Sequence, residues 1–349
     1  MLLTEEGYKV ILVGRKKKDS LDLSKKPYEM KRFRLIFESG IIFYLEYNLR
    51  LLFFLLAKKK HLLWSNDLDT LLPNFICSKL QQIELIYDSH EIFCEVPELK
   101  NAPIKKKIWE ALESFTLPKI KFRITVNESI AQWFRTRYTT DFLVVRNINS
   151  IPRNLILKSR AELDLPENKN IILLQGAGIN IDRGAEELVD AMAYLDGIQL
   201  VIIGGGDVIE LLKQKSVSKA LEDKITFLPK LKPEELMHYT KCADLGISID
   251  KNTNLNYEYS LPNKLFDYIH AGIPILASRL IEIEKIIKQY EIGYFIDEHN
   301  PMHIAQRIQE CLLHPDYLKW KQNTKLAAEA LNWEQEKQKL QQLIQSVKI

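Results

Sequence analysis

From Asn170 to Gln289 the chain alternates short runs of Ile, Leu and Val with longer amphipathic stretches. The runs Asn170–Gln175, Leu200–Ile203, Ile225–Leu228, Leu245–Ile249 and Pro274–Ala277 are apolar at neighbouring positions, so both faces of each strand need cover. Between them, Gly184–Leu195, Val208–Leu221, Pro233–Cys242, Asn263–Ala271 and Ile281–Gln289 carry apolar residues at helical spacing. A parallel sheet clothed by helices on both sides satisfies this pattern, which predicts an α/β domain of nucleotide-binding type.

The first half has the same character with less regularity. Lys9–Val13, His61–Trp64, Ile83–Tyr87 and Phe122–Val126 read as strands, and Glu38–Lys58 and Ile104–Phe115 as helices. Asn, Ser and Pro gather in Asn147–Arg153 and mark a domain boundary. A length of 349 residues suits two domains. The expected organisation is an N-terminal domain over residues 1–150, a C-terminal domain over 151–330 and a closing helix over 331–349. The opening MLLTEEGYKV reads as a helix tail, a glycine cap at Gly7 and then a strand. The strand, glycine-rich turn and helix that usually open a doubly wound domain are therefore expected to be missing ahead of Lys9.

Glu5 and Glu6 stand where a signal peptide needs a basic start. Ile41–Ala57, the most apolar stretch, is interrupted by Glu46, Asn48 and Arg50, so no bilayer-crossing segment is expected. The net charge of +3 divides unevenly: residues 1–150 hold 25 Lys and Arg against 18 Asp and Glu, and the rest hold 24 against 28. A basic half beside an acidic one suits an anionic membrane surface or an anionic ligand, and equally an ordinary solvated surface. Residues 41–60, ending in Lys58-Lys59-Lys60, are expected either to dock peripherally on an anionic bilayer or to pack within their own domain. Cys77, Cys94, Cys242 and Cys311 lie far apart, which fits a reducing cytoplasm and argues against a structural zinc site. Motifs of P-loop NTPases, zincins and common α/β-hydrolases are absent, and no basic stripe with interleaved aromatics suggests nucleic-acid binding.

Four segments can carry chemistry. In QGAGINIDRGAEEL (175–188), Gly176 and Gly178 follow a strand and let a ligand approach the backbone, while Arg183 can fork two hydrogen bonds onto phosphate. The third glycine of a dinucleotide fingerprint is Ile181, so NAD is not expected. In VIIGGGDVIELL (201–212) the three glycines suit a turn pressed against a ligand or a neighbouring loop, and Asp207 suits a helix cap. In NYEYSLPNKLFDYIHAGIPILAS (256–278), Pro262 and Asn263 lead into a helix with Lys264 on its first turn, where the dipole disfavours a cation unless an anion sits nearby. Asp267 one turn on and Glu258 upstream offer carboxylates for sugar hydroxyls. In LIYDSHEIFCEVPEL (85–99), His90 follows a strand at the carboxyl edge where such sheets bind ligands, either as a proton shuttle or as a structural partner of Asp88 or Glu91. His299 and His303 straddle Pro301, which argues against a helical metal pair.

Together and in this order, these segments resemble the family-4 retaining glycosyltransferases of GT-B architecture. The resemblance runs from GYKVILVGR (7–15) through WSNDLDTLLP (64–73), YDSHE (87–91), ITVNESIA (124–131) and VVRNIN (144–149) to NWEQEKQKL (332–340). It implies two Rossmann-like α/β domains facing each other across a ligand cleft, the C-terminal one holding a nucleotide sugar. Residue by residue, it implies that Arg183 and Lys264, with Gly176, Gly178 and the amides around Pro262 and Asn263, hold the donor diphosphate. It further implies that Asp267 binds the ribose, that Pro229 and Lys230 lie along the base, that Glu258 faces the donor sugar and that His90 sits near the reacting sugar.

Three departures from the family pattern stand out. Ala177 replaces the first basic residue of the diphosphate pair. The strict glutamate spacing falls on Tyr259 rather than Glu258, with Asp267 in place of the second Glu. The initial strand and glycine-rich loop are not found. The implied reaction is metal- and cofactor-free hexosyl transfer with retention from a UDP- or GDP-linked sugar to a glycan, lipid-linked or small-molecule acceptor. The implied setting is polysaccharide biosynthesis in the cytoplasm, or peripherally on the inner face of the membrane. Two other classes share the pattern: a non-catalytic sugar-nucleotide- or partner-binding relative, and a GT-B-fold epimerase acting on UDP-sugars.

Overall fold

The computed structural model describes residues 2–18, 20, 23, 25–150 and 155–347. Its residues form two compact units, one from 1–126, 130–145 and 337–349, the other from 127–129 and 146–336. Of the expected boundary Asn147–Arg153, residues 151–153 lie outside the described residues.

In the first unit, α1 (Leu2–Glu5) ends ahead of Gly7, whose φ of +88° is a conformation glycine adopts freely. β1 (Ile11–Lys16) pairs in parallel with β2 (Glu29–Arg34) as a separate two-stranded sheet, whereas the sequence suggests that β1 belongs to the main sheet. That main sheet is parallel, in the order β3 (Leu62–Asn66), β4 (Glu84–Ser89), β5 (Phe122–Thr125), β6 (Leu143–Val144). Its helices are α2 (Gly40–Ala57), α3 (Leu71–Gln81), α4 (Pro103–Thr116) and α5 (Glu128–Tyr138).

α2 buries Tyr47, Leu51 and Leu55, one residue per turn, and Phe33 of β2 packs edge-on against Tyr47 and Phe54 at 6.1 and 5.7 Å. The opposite face of α2 is exposed. Packing within the domain therefore describes one face of residues 41–60 and leaves the other open.

The second unit is a six-stranded parallel sheet: β7 (Asn170–Gly176), β8 (Ile198–Gly204), β9 (Ile225–Leu228), β10 (Leu245–Ser248), β11 (Ile275–Ser278) and β12 (Gly293–Ile296). Its helices are α6 (Ala185–Ala191), α7 (Ile209–Ser218), α8 (Pro233–Cys242), α9 (Leu255–Glu258), α10 (Asn263–Ala271), α11 (Ile281–Tyr290), α12 (Pro301–Leu312) and α13 (Tyr317–Ala330). α14 (Trp333–Ser346) follows; its Lys337 belongs to the first unit and pairs with Glu5 at 2.7 Å. The period of two along each strand sorts the core. Ile172, Leu174, Leu200 and Ile202 pack with Leu188 of α6 and Ile304 of α12. Ile171, Leu173, Val201 and Ile203 pack with Leu265 and Ile269 of α10. Each such burial contributes about 1.5–3 kcal/mol.

Strand order is β12-β11-β10-β7-β8-β9, so the chain winds outward in opposite directions from β7 and from β10. These two strands pair only through Ile172–Leu245 and Leu173–Gly246. The hydroxyl of Tyr268 then lies 3.0 and 3.1 Å from the Leu173 and Ile247 carbonyls, bridging the two strands. A Cβ on Gly246 would come within 2.4 Å of the Tyr268 ring, so only glycine fits there. A crevice forms outside the carboxyl ends of strands at such a switch point.

Candidate functional site

The loop leaving β7 is held by its neighbour. Ile179 N–H donates to Gly205 O at 2.8 Å, and Gly205 N–H donates to Gly176 O at 3.2 Å. A Cβ on Gly204 would lie 1.7 Å from Gly176 O, and one on Gly206 would lie 2.1 Å from Ile179 O. The triple glycine therefore serves a neighbouring loop. Asp207 does not cap α7, whose N-cap is Val208.

Further along, Gly184 has φ +72°, and a Cβ there would stand 2.3 Å from Ile249 O. This close approach brings Arg183 to Asp250, two residues past β10. Arg183 Nη1 lies 3.5 Å from Asp250 Oδ1, and its guanidinium stacks over Tyr257 at 4.1 Å. From the first turn of α10, Lys264 reaches the same carboxylate, Nζ to Oδ2 at 3.3 Å. No side chain caps α10. Its first N–H groups thus have no capping acceptor from a side chain and add the positive end of the helix dipole.

These parts enclose a cavity of about 270 Å³ at the switch point. It is walled by Leu174–Ile179, Arg183, Asp250 and Pro262–Lys264. Asp250 is fully buried and Lys264 nearly so. Burial holds the Lys264 ammonium below the usual lysine range; Asp250 opposes that shift and Arg183 adds to it. One buried carboxylate thus aligns two cations beside a helix N-terminus, an arrangement suited to a dianion.

Gly176, Gly178, Arg183, Asn263 and Lys264 all lie on this wall. Asp267 does not. Its oxygens accept from Asn149 Nδ2 at 3.0 Å and Gln175 Nε2 at 2.9 Å, and burial raises its pKa. Gln175 lies on the wall between the cavity and Asp267, and Thr240 donates to its amide oxygen at 2.8 Å. Glu258 ends α9, half-buried, with no side-chain hydrogen bond or ion pair among the described residues, and it is not on the wall. Pro229 and Lys230 are exposed past β9.

His90 belongs to the first unit. Its N–H donates to Asp67 Oδ1 at 2.9 Å, and its Nε2 lies 3.7 Å from Asp88 Oδ1. Burial raises the Asp67, Asp69 and Asp88 carboxyls, Asp69 to about 6. Among the described residues no group of three His, Cys, Asp or Glu is placed to hold a metal ion.

Sequence reasoning missed Asp250, Gln175 and Tyr257. Asp250 had a signal: it closes an apolar run at the carboxyl edge of a parallel sheet, in ISID.

Two parallel α/β units, one of them doubly wound with a polar cavity at its switch point, define the GT-B class of glycosyltransferases. Solved structures agree over nearly the whole length. Sucrose-phosphate synthase from Thermosynechococcus elongatus is 18% identical with a TM-score of 0.73, covering 99% of this chain and 90% of that one. Anabaena Alr3699/HepE in complex with UDP and glucose is 16% identical with a TM-score of 0.72, covering 92% and 87%. WaaG, a glycosyltransferase involved in lipopolysaccharide biosynthesis, is 13% identical with a TM-score of 0.65, covering 97% and 91%. No curated protein matches the sequence. Residues 156–332 match the model of the glycosyl transferases group 1, and the chain belongs to that family.

Proposed function

We propose that the chain transfers a hexosyl group, with retention at the anomeric carbon, from a nucleoside-diphosphate sugar to a glycan, lipid-linked or small-molecule acceptor. The observation that carries this is the convergence of Arg183, Lys264 and the uncapped start of α10 on one cavity, with Asp250 behind them. HepE, solved with UDP and with UDP-glucose, supports a uridine diphosphate as the donor's leaving group.

As the glycosidic bond to the donor breaks, negative charge grows on the diphosphate. Fixed donors that meet it stabilise the transition state without reorganising, each contributing about 3 kcal/mol. Because side chains and the helix supply this charge, the reading requires no metal. Asp267 receives a ribose hydroxyl in exchange for its bond from Asn149, and Pro229 and Lys230 flank the base. Glu258 and His90 position the sugar. The four unpaired cysteines fit a cytoplasmic setting.

The test is calorimetry with UDP and GDP followed by incubation with the matching sugar nucleotides, with the products analysed by mass spectrometry. Saturable nucleotide binding and a glycosylated product with retained configuration are expected. Binding without transfer to any acceptor, or isomerised donor in place of product, would remove the transferase reading.

A further inference from the structure

α2 displays an apolar stripe that none of the described residues of the unit covers. Ile42, Leu45, Leu49 and Phe53 recur every three or four residues and are 45–67% exposed, opposite the buried Tyr47, Leu51 and Leu55. Over those residues the stripe runs about 16 Å at 1.5 Å per residue. Glu46, the acid of this helix, is already satisfied: it accepts from Ile36 and Phe37 N–H at 2.9 and 3.0 Å and pairs with Arg50 at 2.8 Å. That contact fastens Ile36, 77% exposed, and Phe37 to the helix, which extends the apolar face.

Charge surrounds the stripe. Residues 9–60 carry 14 Lys and Arg against 5 Asp and Glu, a local excess of +9 in a chain whose net charge is +3. Lys58 and Lys59 are exposed where α2 ends, and Arg15 of the β1–β2 sheet, which packs on the helix through Phe33, stands over the Phe43 ring of α2 at 4.5 Å. α4 touches α2 through Trp109 and Tyr44, with ring centroids 5.2 Å apart, and leaves Ile104 and Ile108 exposed beside Lys105 and Lys107.

We propose that this face docks in the plane of an anionic lipid bilayer, the α2 stripe entering the headgroup boundary and the surrounding lysines resting on acidic headgroups. In length and composition α2 suits a span. Tyr47, Leu51 and Leu55 are buried within its own unit, an amphipathic arrangement that suits a helix lying in the interface. A second copy of the chain is disfavoured, because a twofold interface through the patch would set the same excess of positive charge against itself. Lipid supplies what the face lacks, an apolar layer beneath a negative one. The proposal concerns the first unit and stands apart from the donor cavity.

The test is flotation of the full chain with vesicles of phosphatidylcholine alone and of phosphatidylcholine mixed equally with phosphatidylglycerol. Binding to the anionic vesicles, weak binding to the neutral ones and release by salt are expected. Leu49→Glu with Phe53→Glu, both at exposed positions, lowers partitioning at least about tenfold, and Lys58→Glu or Lys59→Glu lowers it about fivefold each. Circular dichroism and nucleotide binding of the variants stay unchanged, which separates loss of docking from loss of fold or of the donor site. The proposal is overturned if wild type ignores anionic vesicles or if the double variant floats like wild type. It is equally overturned if the wild-type chain proves to be a dimer that the double variant dissolves, which would give the face to a second copy.

Discussion

The Asp250 carboxylate, with no exposed surface, stands 3.3 Å from the ammonium of Lys264 on the first turn of α10. A lysine's charge there is opposed by burial, by the helix dipole and by Arg183, and Asp250 is the charge that favours its cationic form. Asp250→Asn keeps the shape and removes that charge, so the Lys264 pKa falls further. The ammonium is then lost as pH rises, and nucleoside-diphosphate affinity of the variant should drop at least about tenfold on going from mildly acidic to alkaline buffer. Lys264→Arg in the same background restores a flat profile, since guanidinium does not deprotonate. Calorimetry across pH reads both, and a pH-independent loss in the single variant would assign Asp250 a purely structural role.

Arg183 is tied to Asp250 by a 3.5 Å contact and to Tyr257 by stacking, so its guanidinium is aimed before any ligand arrives. Arg183→Ala should lower kcat/KM for donor turnover by about two orders of magnitude, the value of one preorganised donor. Arg183→Lys should recover little of this, because an ammonium neither forks nor stacks as a guanidinium does. Steady-state kinetics with the donor varied separates the two. Equal activity of the alanine variant and wild type would remove Arg183 from the site.

The doubly wound sheet was legible because its strands must be apolar on both faces. Ile225–Leu228, Pro233–Cys242 and Asn263–Ala271 occupy the residues the pattern marks, the helices set by Pro233 at one start and Gly272 at the other end. β12 escaped notice as a four-residue edge strand. β2, EMKRFR, is half-exposed and too charged to show an apolar run, and α3 hides behind Pro73 in its first turn. The cavity's glycines and cations were visible as residue types beside strand ends. Asp250 also stands past a strand end, but its pairing with Lys264 exists only once β10 lies beside β7 and α10 turns Lys264 toward it. The partners of Asp267 were likewise hidden, since its spacing does not show that Asn149 and Gln175 hold its carboxylate.

Two glycines of one loop should respond differently to the same methyl group. At Gly184, φ is +72° and a Cβ would meet Ile249 O at 2.3 Å, so Gly184→Ala should destabilise the second unit by about 2 kcal/mol or more and loosen Arg183 from Asp250. At Gly178 a Cβ would meet only Asn180 Nδ2 at 3.7 Å, an ordinary contact. Gly178→Ala should leave the melting temperature within about 1 °C of wild type while weakening nucleotide binding, because the methyl occupies the cavity wall. Thermal melts with and without UDP distinguish the two. A stable Gly184→Ala protein with full affinity would show that the loop can yield.

The first unit carries a buried acid whose titration should be visible in stability. Glu113 on α4 accepts from the Tyr138 hydroxyl, and its Oε1 is buried without a hydrogen-bond partner. Burial raises its carboxyl from 4.5 to about 7. The folded state therefore binds this proton more tightly than the unfolded chain does, and the sign follows by linkage. The stabilising contribution is complete below about pH 4.5 and is lost as pH rises through about 7, a swing of roughly 3 kcal/mol at most. Glu113→Gln keeps an amide in place of the protonated acid and removes the titration. The variant should melt higher than wild type at pH 8, match it near pH 5, and show a flatter pH dependence between them. Differential scanning calorimetry at those two values is sufficient. A wild-type chain more stable at pH 8 than at pH 5, with the difference unchanged in the glutamine variant, would mean that Glu113 ionises inside the fold at little cost.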